Sequence, residues 1–227
     1  MEFTEILVSL GLGFLTTLKL FAITLCLSLP FGLIITFGLR SRFKPLSWLC
    51  SIFVWIIRGS PLLLQLLLFT ILPNTIFGIS NKELAGFFGC RVADVYFILV
   101  CAAFIINYAC YFSVIFKGAL DSIPKGQYEA GKVLGLKKGQ IFSKIVLFQL
   151  VRRTLAPVSN ETITLVKDTA LASTLSVIEL LKTAQQAVNE FVVLSPLLYA
   201  GLFYLIFNGL LTILFQRIEK KMAFYKE

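Results

Sequence analysis

Residues 95–116 read VYFILVCAAFIINYACYFSVIF, an unbroken apolar run that contains no Asp, Glu, Lys, Arg or His. At 1.5 Å rise per residue, a helix over this run is about 33 Å long and matches the roughly 30 Å hydrocarbon core of a bilayer. Residues 191–215 form a second run without an acidic or basic side chain. These two runs predict membrane-spanning helices, so we expect the chain to fold within a lipid bilayer.

The rest of the chain agrees with these two runs. Of its 227 residues, 58% are hydrophobic and only 15% are charged, which is more apolar surface than a soluble core of this length can bury. We therefore expect an all-α integral membrane protein whose single domain covers residues 1–227. Five stretches have spanning length, namely 20–39, 46–72, 95–116, 154–182 and 192–216. Residues 3–17 are expected to form a separate helix on the membrane surface.

The basic residues predict the orientation of these spans. Fifteen of the 21 Lys and Arg residues fall in segments that share one side of a five-span bundle. They are Arg40, Arg42, Lys44, Lys117, Lys125, Lys132, Lys137, Lys138, Lys144, Arg152, Arg153, Arg217, Lys220, Lys221 and Lys226. The opposite side receives Lys82, Arg91 and Lys182. Because basic segments stay in the cytoplasm, we expect the N-terminus outside and the C-terminus inside the cytoplasmic membrane.

Several functional classes are excluded by composition. The net charge of +9 lies in short segments between apolar runs, so we expect no nucleic-acid partner. The chain has no His, which removes the usual general base and the commonest metal ligand. Its five cysteines lack CxxC spacing and are expected to be free thiols in apolar surroundings. We expect no metal site and no catalytic residue.

Residues 117–153 form the longest predicted cytoplasmic segment. Its sequence predicts a helix around Gln127–Leu136 and a second short helix beyond a break at Gly139, and Gly135 is also expected to let the chain turn between the two helices. Two interpretations of the pattern remain open. The segment either docks a partner or lies on the bilayer surface.

One motif in this segment resembles a known family. Glu129-Ala130-Gly131 is followed by three residues, Gly135, nine residues, Ile145, one residue and Leu147. This pattern resembles the EAA loop of ATP-binding-cassette (ABC) importer permeases. It departs from that loop at Gly131, where the family has a second Ala, and at Phe148, where the family has Pro.

A second motif narrows the resemblance. Arg58-Gly59-Ser60-Pro61-Leu62-Leu63-Leu64-Gln65 is similar to a segment of the polar amino-acid permeases, the histidine, glutamine, arginine and opine branch. Further similar residues follow in the same order along the chain. They are Thr17 to Leu20, Tyr111, Lys117-Gly118, Gly126 to Ala130, Pro157, Asn160 and Lys167-Asp168-Thr169. Val114 stands where the branch commonly has an acidic residue, so its charge preference is not carried over.

The resemblance implies a compact five-helix permease fold with a cytoplasmic coupling helix. It also implies an importer of a polar or charged amino acid, a second identical or related permease subunit, an extracytoplasmic solute-binding protein and a pair of ATPase subunits. The chain lacks a GxxxxGK[ST] phosphate loop, so it cannot be the ATPase. ATP and Mg²⁺ are expected on the partner, and the chain itself is expected to hold no cofactor.

Charged and polar residues are expected near the membrane midplane. Arg58 lies about 18 Å into the second span and Asp168 about 21 Å into the fourth, with Asn107 at a similar depth in the third. A charge at that depth costs at least about 2.5 kcal/mol, so it should face a cavity, a partner charge or a ligand.

Two alternatives follow for these charges. Arg58 attracts the substrate carboxylate while Asp168 or Glu161 attracts its ammonium group, or Arg58 and Asp168 pair with each other. Lys167 is expected to pair with Glu161 or with Glu179. The candidate substrate pathway comprises Arg58, Ser60, Gln65, Asn107, Tyr111, Glu161, Asp168 and Thr169. The candidate ATPase contact comprises Glu129, Ala130, Gly131 and Gly135.

Functions from other classes remain as alternatives. An ion-coupled secondary transporter would need intramembrane carboxylates linked to an ion, and Asp168 is a weak basis for one. A membrane scaffold without transport would not need a polar layer at the midplane. An ABC permease for another small solute would share every feature above.

Overall fold

The computed structural model describes residues 3–223, and over that range the chain is helical between its turns, with no β-strand. This confirms the all-α prediction. The α-helices are α1 Phe3–Leu39, α2 Lys44–Gly59, α3 Leu62–Phe77, α4 Asn81–Phe88, α5 Val92–Asp121, α6 Lys125–Val133, α7 Lys138–Ile141, α8 Leu147–Asp168, α9 Leu180–Phe191 and α10 Ser195–Ala223. A π-helical turn at Phe142–Val146 precedes α8, and a 3₁₀ segment at Thr169–Leu175 follows it.

Three helices of the described range are long and apolar enough to cross a membrane alone. They are Thr4–Leu39 within α1, Val92–Asp121 and Ser195–Met222 within α10. The pair α2 and α3 also meets these criteria together, but it is bent by 108° at its break. The predicted stretch 46–72 is therefore helical without being one straight helix.

The separate surface helix predicted for residues 3–17 is wrong. α1 runs without interruption for 37 residues, about 55 Å at 1.5 Å per residue. Its early residues Ile6 and Leu10 are buried, packed with Leu180 and Ala184 of α9 and Ala200 of α10. Burial against these two helices keeps the N-terminal part of α1 in the bundle.

The core of the bundle surrounds α5, which packs against α1, α3 and α8. Val100, Phe104 and Phe112 of α5 are fully buried. α1 approaches α5 closely at Gly32, because a Cβ there would lie 2.9 Å from Cβ of Phe112. The hydroxyl of Thr36 on α1 also donates to the backbone oxygen of Ser113 at 2.9 Å. α5 is thus the fixed centre on which the polar residues are arranged.

The predicted stretch 154–182 is also more than one helix. α8 already begins at Leu147 and ends at Asp168, and the 3₁₀ segment and α9 follow. Thr169 and Thr174 of the 3₁₀ segment donate their hydroxyls to backbone oxygens three residues earlier, which competes with regular helical bonding. Ser176 has a φ of 61°, so the chain turns in a left-handed conformation before α9.

The segment between α5 and α8 contains two short helices, as predicted, but its break is at Gly135 and not at Gly139. Gly135 has a φ of 73°, a conformation that suits glycine. The N–H of Leu136 bonds to the oxygen of Gly131 at 3.0 Å and the N–H of Gly135 to that of Lys132 at 2.9 Å, which closes the end of α6. Gly139 lies inside α7.

Candidate functional site

The bend between α2 and α3 leaves backbone oxygens without helical partners, and Gln65 supplies donors to them. Pro61 precedes α3 and has no N–H to continue α2. Nε2 of Gln65 lies 2.7 Å from the oxygen of Ile57 and 2.8 Å from Oγ of Ser60. The hydroxyl of Ser60 donates in turn to the oxygen of Ile56 at 2.9 Å. A broken helix at membrane depth is stable only when such groups are satisfied inside the protein.

Asn107 connects this bend to the core helix. Its Nδ2 donates to Oε1 of Gln65 at 2.9 Å, and both side chains are buried. The structure therefore joins three predicted pathway residues, Ser60, Gln65 and Asn107, in one network. In this conformation the network satisfies the backbone of the bend, so its members hold α2 and α3 in place against α5.

Arg58 lies in the last turn of α2 and is exposed. Its guanidinium carbon stands 5.1 Å from the ring centroid of Tyr111 on α5. At this distance the cation is attracted to the ring face, and the guanidinium keeps its hydrogen-bond donors for other groups. The arrangement can hold a carboxylate or another anion.

Asp168 is partly buried at the end of α8. The hydroxyl of Tyr108 on α5 donates to its Oδ2 at 2.7 Å. Tyr108 is not among the candidate pathway residues predicted from the sequence, because its pairing with Asp168 depends on the docking of α8 against α5. A carboxylate that accepts from one neutral donor still has lone pairs that can accept from a cationic group.

The structure does not bring the predicted charges together. Among residues 3–223, no ion pair joins Arg58 to Asp168, and Lys167 is exposed and pairs with neither Glu161 nor Glu179. Glu161 is partly buried on α8, and within residues 3–223 it forms no ion pair with Arg58. Thr169 turns back and donates to the oxygen of Val166 at 2.6 Å.

The predicted cytoplasmic segment, residues 117–153, exposes part of its motif. Glu129 and Ala130 are exposed on α6, while Gly131 is buried. A Cβ at Gly131 would lie 2.8 Å from Cγ1 of Ile141, which explains why glycine replaces the second Ala of the motif. Beyond it, Val133 is 88% and Leu134 75% exposed, which leaves an apolar tip on a polar segment. Such a tip is suited to docking a partner protein.

Sequence reasoning missed the role of Glu179, which it named only as a partner for Lys167. Glu179 is fully buried and accepts hydrogen bonds from the backbone of α9 and from Tyr204 of α10. The available signal was an acidic residue directly before an amphipathic helix, a position typical of a helix cap. Among the residues that the structure describes, no group of three or more acidic or Cys side chains could hold a metal ion.

Comparisons with known proteins identify a family. The family described as "Binding-protein-dependent transport system inner membrane component" matches residues 28–224. The L-cystine transport system permease protein TcyB of Bacillus subtilis is 32% identical, with 94% of this chain and 86% of that protein covered. The octopine transport system permease protein OccM of Rhizobium radiobacter is 33% identical, with 85% and 78% covered. The arginine transport system permease protein ArtQ of B. subtilis is 29% identical, with 92% and 90% covered.

Solved structures share the fold. A structure described as an amino acid ABC transporter with histidines superposes with a TM-score of 0.78 at 23% identity, over 97% of this chain and 99% of that one. An inward-facing MetNI methionine ABC transporter gives a TM-score of 0.69 at 17% identity, over 98% and 99%.

Proposed function

The chain belongs to the family of binding-protein-dependent transport system inner membrane components, and from this premise we propose that it is the membrane-spanning permease subunit of an ABC importer for a polar or charged amino acid. The observation that carries the proposal is similarity along nearly the whole chain to permeases named for cystine, arginine and octopine transport. These substrates share an α-amino acid group, or its N-alkylated form, and differ in side chain. A permease for any of these substrates needs a site for both charges of that group.

The polar layer suits such a substrate. Within residues 3–223, Arg58 forms no ion pair and holds its guanidinium above Tyr111, and the only hydrogen-bond donor to the Asp168 carboxylate is the hydroxyl of Tyr108. Arg58 attracts the carboxylate of the amino acid, and Asp168 or Glu161 attracts its ammonium group. The absence of an ion pair between Arg58 and Asp168 favours this assignment over the pairing alternative.

The energy for transport is supplied by a separate ATPase that binds residues 117–153, the coupling segment. Glu129 and Ala130 are exposed on α6, and the exposed apolar tip at Val133 and Leu134 extends the same surface. Rotation of α6 is transmitted along the chain into α8, which begins directly after the π-helical turn. The permease chain itself binds no ATP. Its contact with the ATPase opens and closes the substrate path.

Five crossings fit the orientation given by the basic residues. α1, α5 and α10 are each long and apolar enough to cross alone, and α2 and α3 meet the same criteria as a bent pair. In the proposed path, α8, the 3₁₀ segment and α9 form the remaining crossing, so that α6 and α7 lie on the cytoplasmic side with the ATPase and the turn between α9 and α10 lies on the outer side. A second permease subunit and an outer solute-binding protein complete the importer.

Purification of the chain with the ATPase and solute-binding protein encoded beside it tests the proposal. In lipid nanodiscs, the complex is expected to hydrolyse ATP faster when amino-acid-loaded binding protein is added. The matched control omits only the amino acid. A complex that does not form, or an ATPase rate that ignores the loaded binding protein, would contradict the proposal.

A further inference from the structure

Two buried or partly buried carboxylates lie on either side of the 3₁₀ segment that interrupts the fourth crossing. Asp168 directly precedes the segment and accepts from the hydroxyl of Tyr108 on α5. Glu179 follows it by four residues and accepts from the hydroxyl of Tyr204 on α10 at 2.9 Å. The same break is thus tied to two different parts of the bundle, one at each end.

Glu179 is held more completely than Asp168. Its exposed fraction is 0%, and both of its carboxylate oxygens accept hydrogen bonds. Oε1 accepts from the N–H of Lys182 at 2.7 Å, and Oε2 accepts from the N–H of Leu181 at 2.9 Å and from Tyr204. The hydroxyl of Thr17 on α1 lies 3.4 Å from Oε2. Within residues 3–223, no cation forms an ion pair with Glu179.

These bonds fasten the first turn of α9 to two neighbouring helices. The carboxylate caps α9 while it accepts from α10, and Oγ1 of Thr17 accepts from the N–H of Leu180 at 3.1 Å. α1 and α9 are also in close contact, since a Cβ at Gly13 would lie 3.0 Å from Cβ of Thr183. Burial of an acidic side chain within a membrane costs free energy, so such a residue is expected to have a function. Here the function is to hold the first turn of α9 against α1 and α10.

The segment between the two carboxylates is weakly bonded by comparison. A 3₁₀ helix has poorer hydrogen-bond geometry than an α-helix, and runs longer than three or four residues are uncommon. This one has seven residues and ends at Ser176 in the left-handed region. The hydrogen bonds of this segment therefore resist a change of backbone angles less than those of α8 and α9 do.

We infer that Glu179 is a positioning residue that joins α9 to α1 and α10 as one outer body, so that the 3₁₀ segment is the hinge between this body and α8. The inference rests on the proposed ATP-driven transport, because that function supplies the motion of α8. Within residues 3–223, no hydrogen bond joins Glu179 directly to a candidate pathway residue. Glu179 keeps α9 in place while the ATPase moves α8. The relative motion of α8 and α9 then opens the substrate path, so that opening is coupled to ATP hydrolysis.

The first test compares Glu179→Ala with Glu179→Gln in the reconstituted transporter. The Gln side chain keeps one oxygen, which can accept from the N–H of Lys182, and the hydroxyls of Tyr204 and Thr17 can turn to accept from its amide, so that only the N–H of Leu181 loses its acceptor. Glu179→Ala is expected to lower the amount of substrate moved per ATP hydrolysed roughly tenfold, the size of a typical coupling between distant sites. Glu179→Gln is expected to restore most of this ratio. An assembled Glu179→Ala complex with the wild-type ratio would overturn the inference.

A second variant tests the outer body if Glu179→Ala fails to assemble. A disulfide between Gly13→Cys and Thr183→Cys needs the Cβ atoms to separate by about 0.5–1 Å from their present spacing. If α1 and α9 move together, the oxidised double variant transports at the rate of the same protein reduced. Loss of transport on oxidation, with wild type unaffected by the oxidant, would overturn the inference. Failure of the proposed function is recognised separately, because wild type would then show no ATP-driven transport.

Discussion

The hydroxyl of Tyr108 on α5 donates a 2.7 Å hydrogen bond to Oδ2 of Asp168, the last residue of α8. One turn further along α5, the ring of Tyr111 makes a cation–π contact with the guanidinium of Arg58. The two charges of the polar layer are therefore held apart, each by a tyrosine of the same helix. This arrangement explains why they form no ion pair with each other, and it gives each charge a fixed position.

Removal of the Tyr108 hydroxyl should destabilise the bundle. Tyr108→Phe keeps the ring between Phe104 and Phe112 but leaves the carboxylate without its donor, which costs about 1.5–3 kcal/mol for a bond to a charged group. We expect a lower Tm of the purified complex. Tyr111→Phe is the matched control, since it keeps the ring beneath Arg58. An unchanged Tm of Tyr108→Phe would show that the bond contributes nothing.

Exchanging the charges of Arg58 and Asp168 should not restore the transport that is lost in the single variants. Arg58→Gln is expected to raise the KM for amino-acid uptake, and Asp168→Asn to do the same, because each removes one attraction for the zwitterion. The double variant Arg58→Asp, Asp168→Arg should be at least as impaired as either single reversal, measured as uptake of labelled substrate. Recovery in the double variant would instead indicate a direct ion pair between the two positions.

Gln65 and Asn107 should show coupled energetics. Gln65→Leu leaves Nδ2 of Asn107 and the oxygen of Ile57 without partners, whereas Asn107→Leu leaves only Oε1 of Gln65. Because an unmade buried bond costs more than a pair removed together, the double variant should be more stable than the sum of the single effects predicts. A double-mutant cycle on thermal unfolding is expected to give a coupling of about 0.5–3 kcal/mol. Additive effects would argue that the two amides act independently.

The sequence predicted the apolar spans well and their interruptions poorly. Residues 95–116 are helical because lipid requires each backbone bond to be satisfied within the helix, a rule that needs only local sequence. The bend at Pro61 depends on Gln65, whose partner Asn107 lies 42 residues away. Glu179 meets Thr17 across 162 residues, so no local pattern reveals that contact. The tyrosine partners of Arg58 and Asp168 likewise depend on how α2 and α8 pack against α5, which no local pattern reveals.

Close packing of α1 on α5 should be sensitive to one methyl group. In Gly32→Ala the new Cβ would lie 2.9 Å from Cβ of Phe112 and 3.0 Å from the backbone oxygen of Ala109, which cannot move aside. Overpacking of this kind costs about 1–3 kcal/mol, and we expect a lower Tm. Gly11→Ala on the same helix is the control, because nothing lies within 4 Å of its Cβ. Equal stability of both variants would contradict the observed approach of the helices.

A bulky residue at Gly135 should separate ATP hydrolysis from transport. Gly135 has a φ of 73°, and a side chain in the left-handed region costs about 1–2 kcal/mol, so Gly135→Val should distort the end of α6. We expect insertion and ATP hydrolysis to persist while substrate moved per ATP falls. Gly139→Val, in open space within α7, should be much milder. Equal coupling in the two variants would mean that the turn at Gly135 transmits no motion.

The most direct test of the account is uptake into proteoliposomes that contain the purified chain with its ATPase and receive the loaded binding protein. The account predicts accumulation of the amino acid only when ATP and the ATPase are both present, and it predicts that an ionophore leaves this accumulation unchanged. Uptake by the chain without an ATPase, abolished by the ionophore, would contradict it and would indicate an ion-coupled transporter.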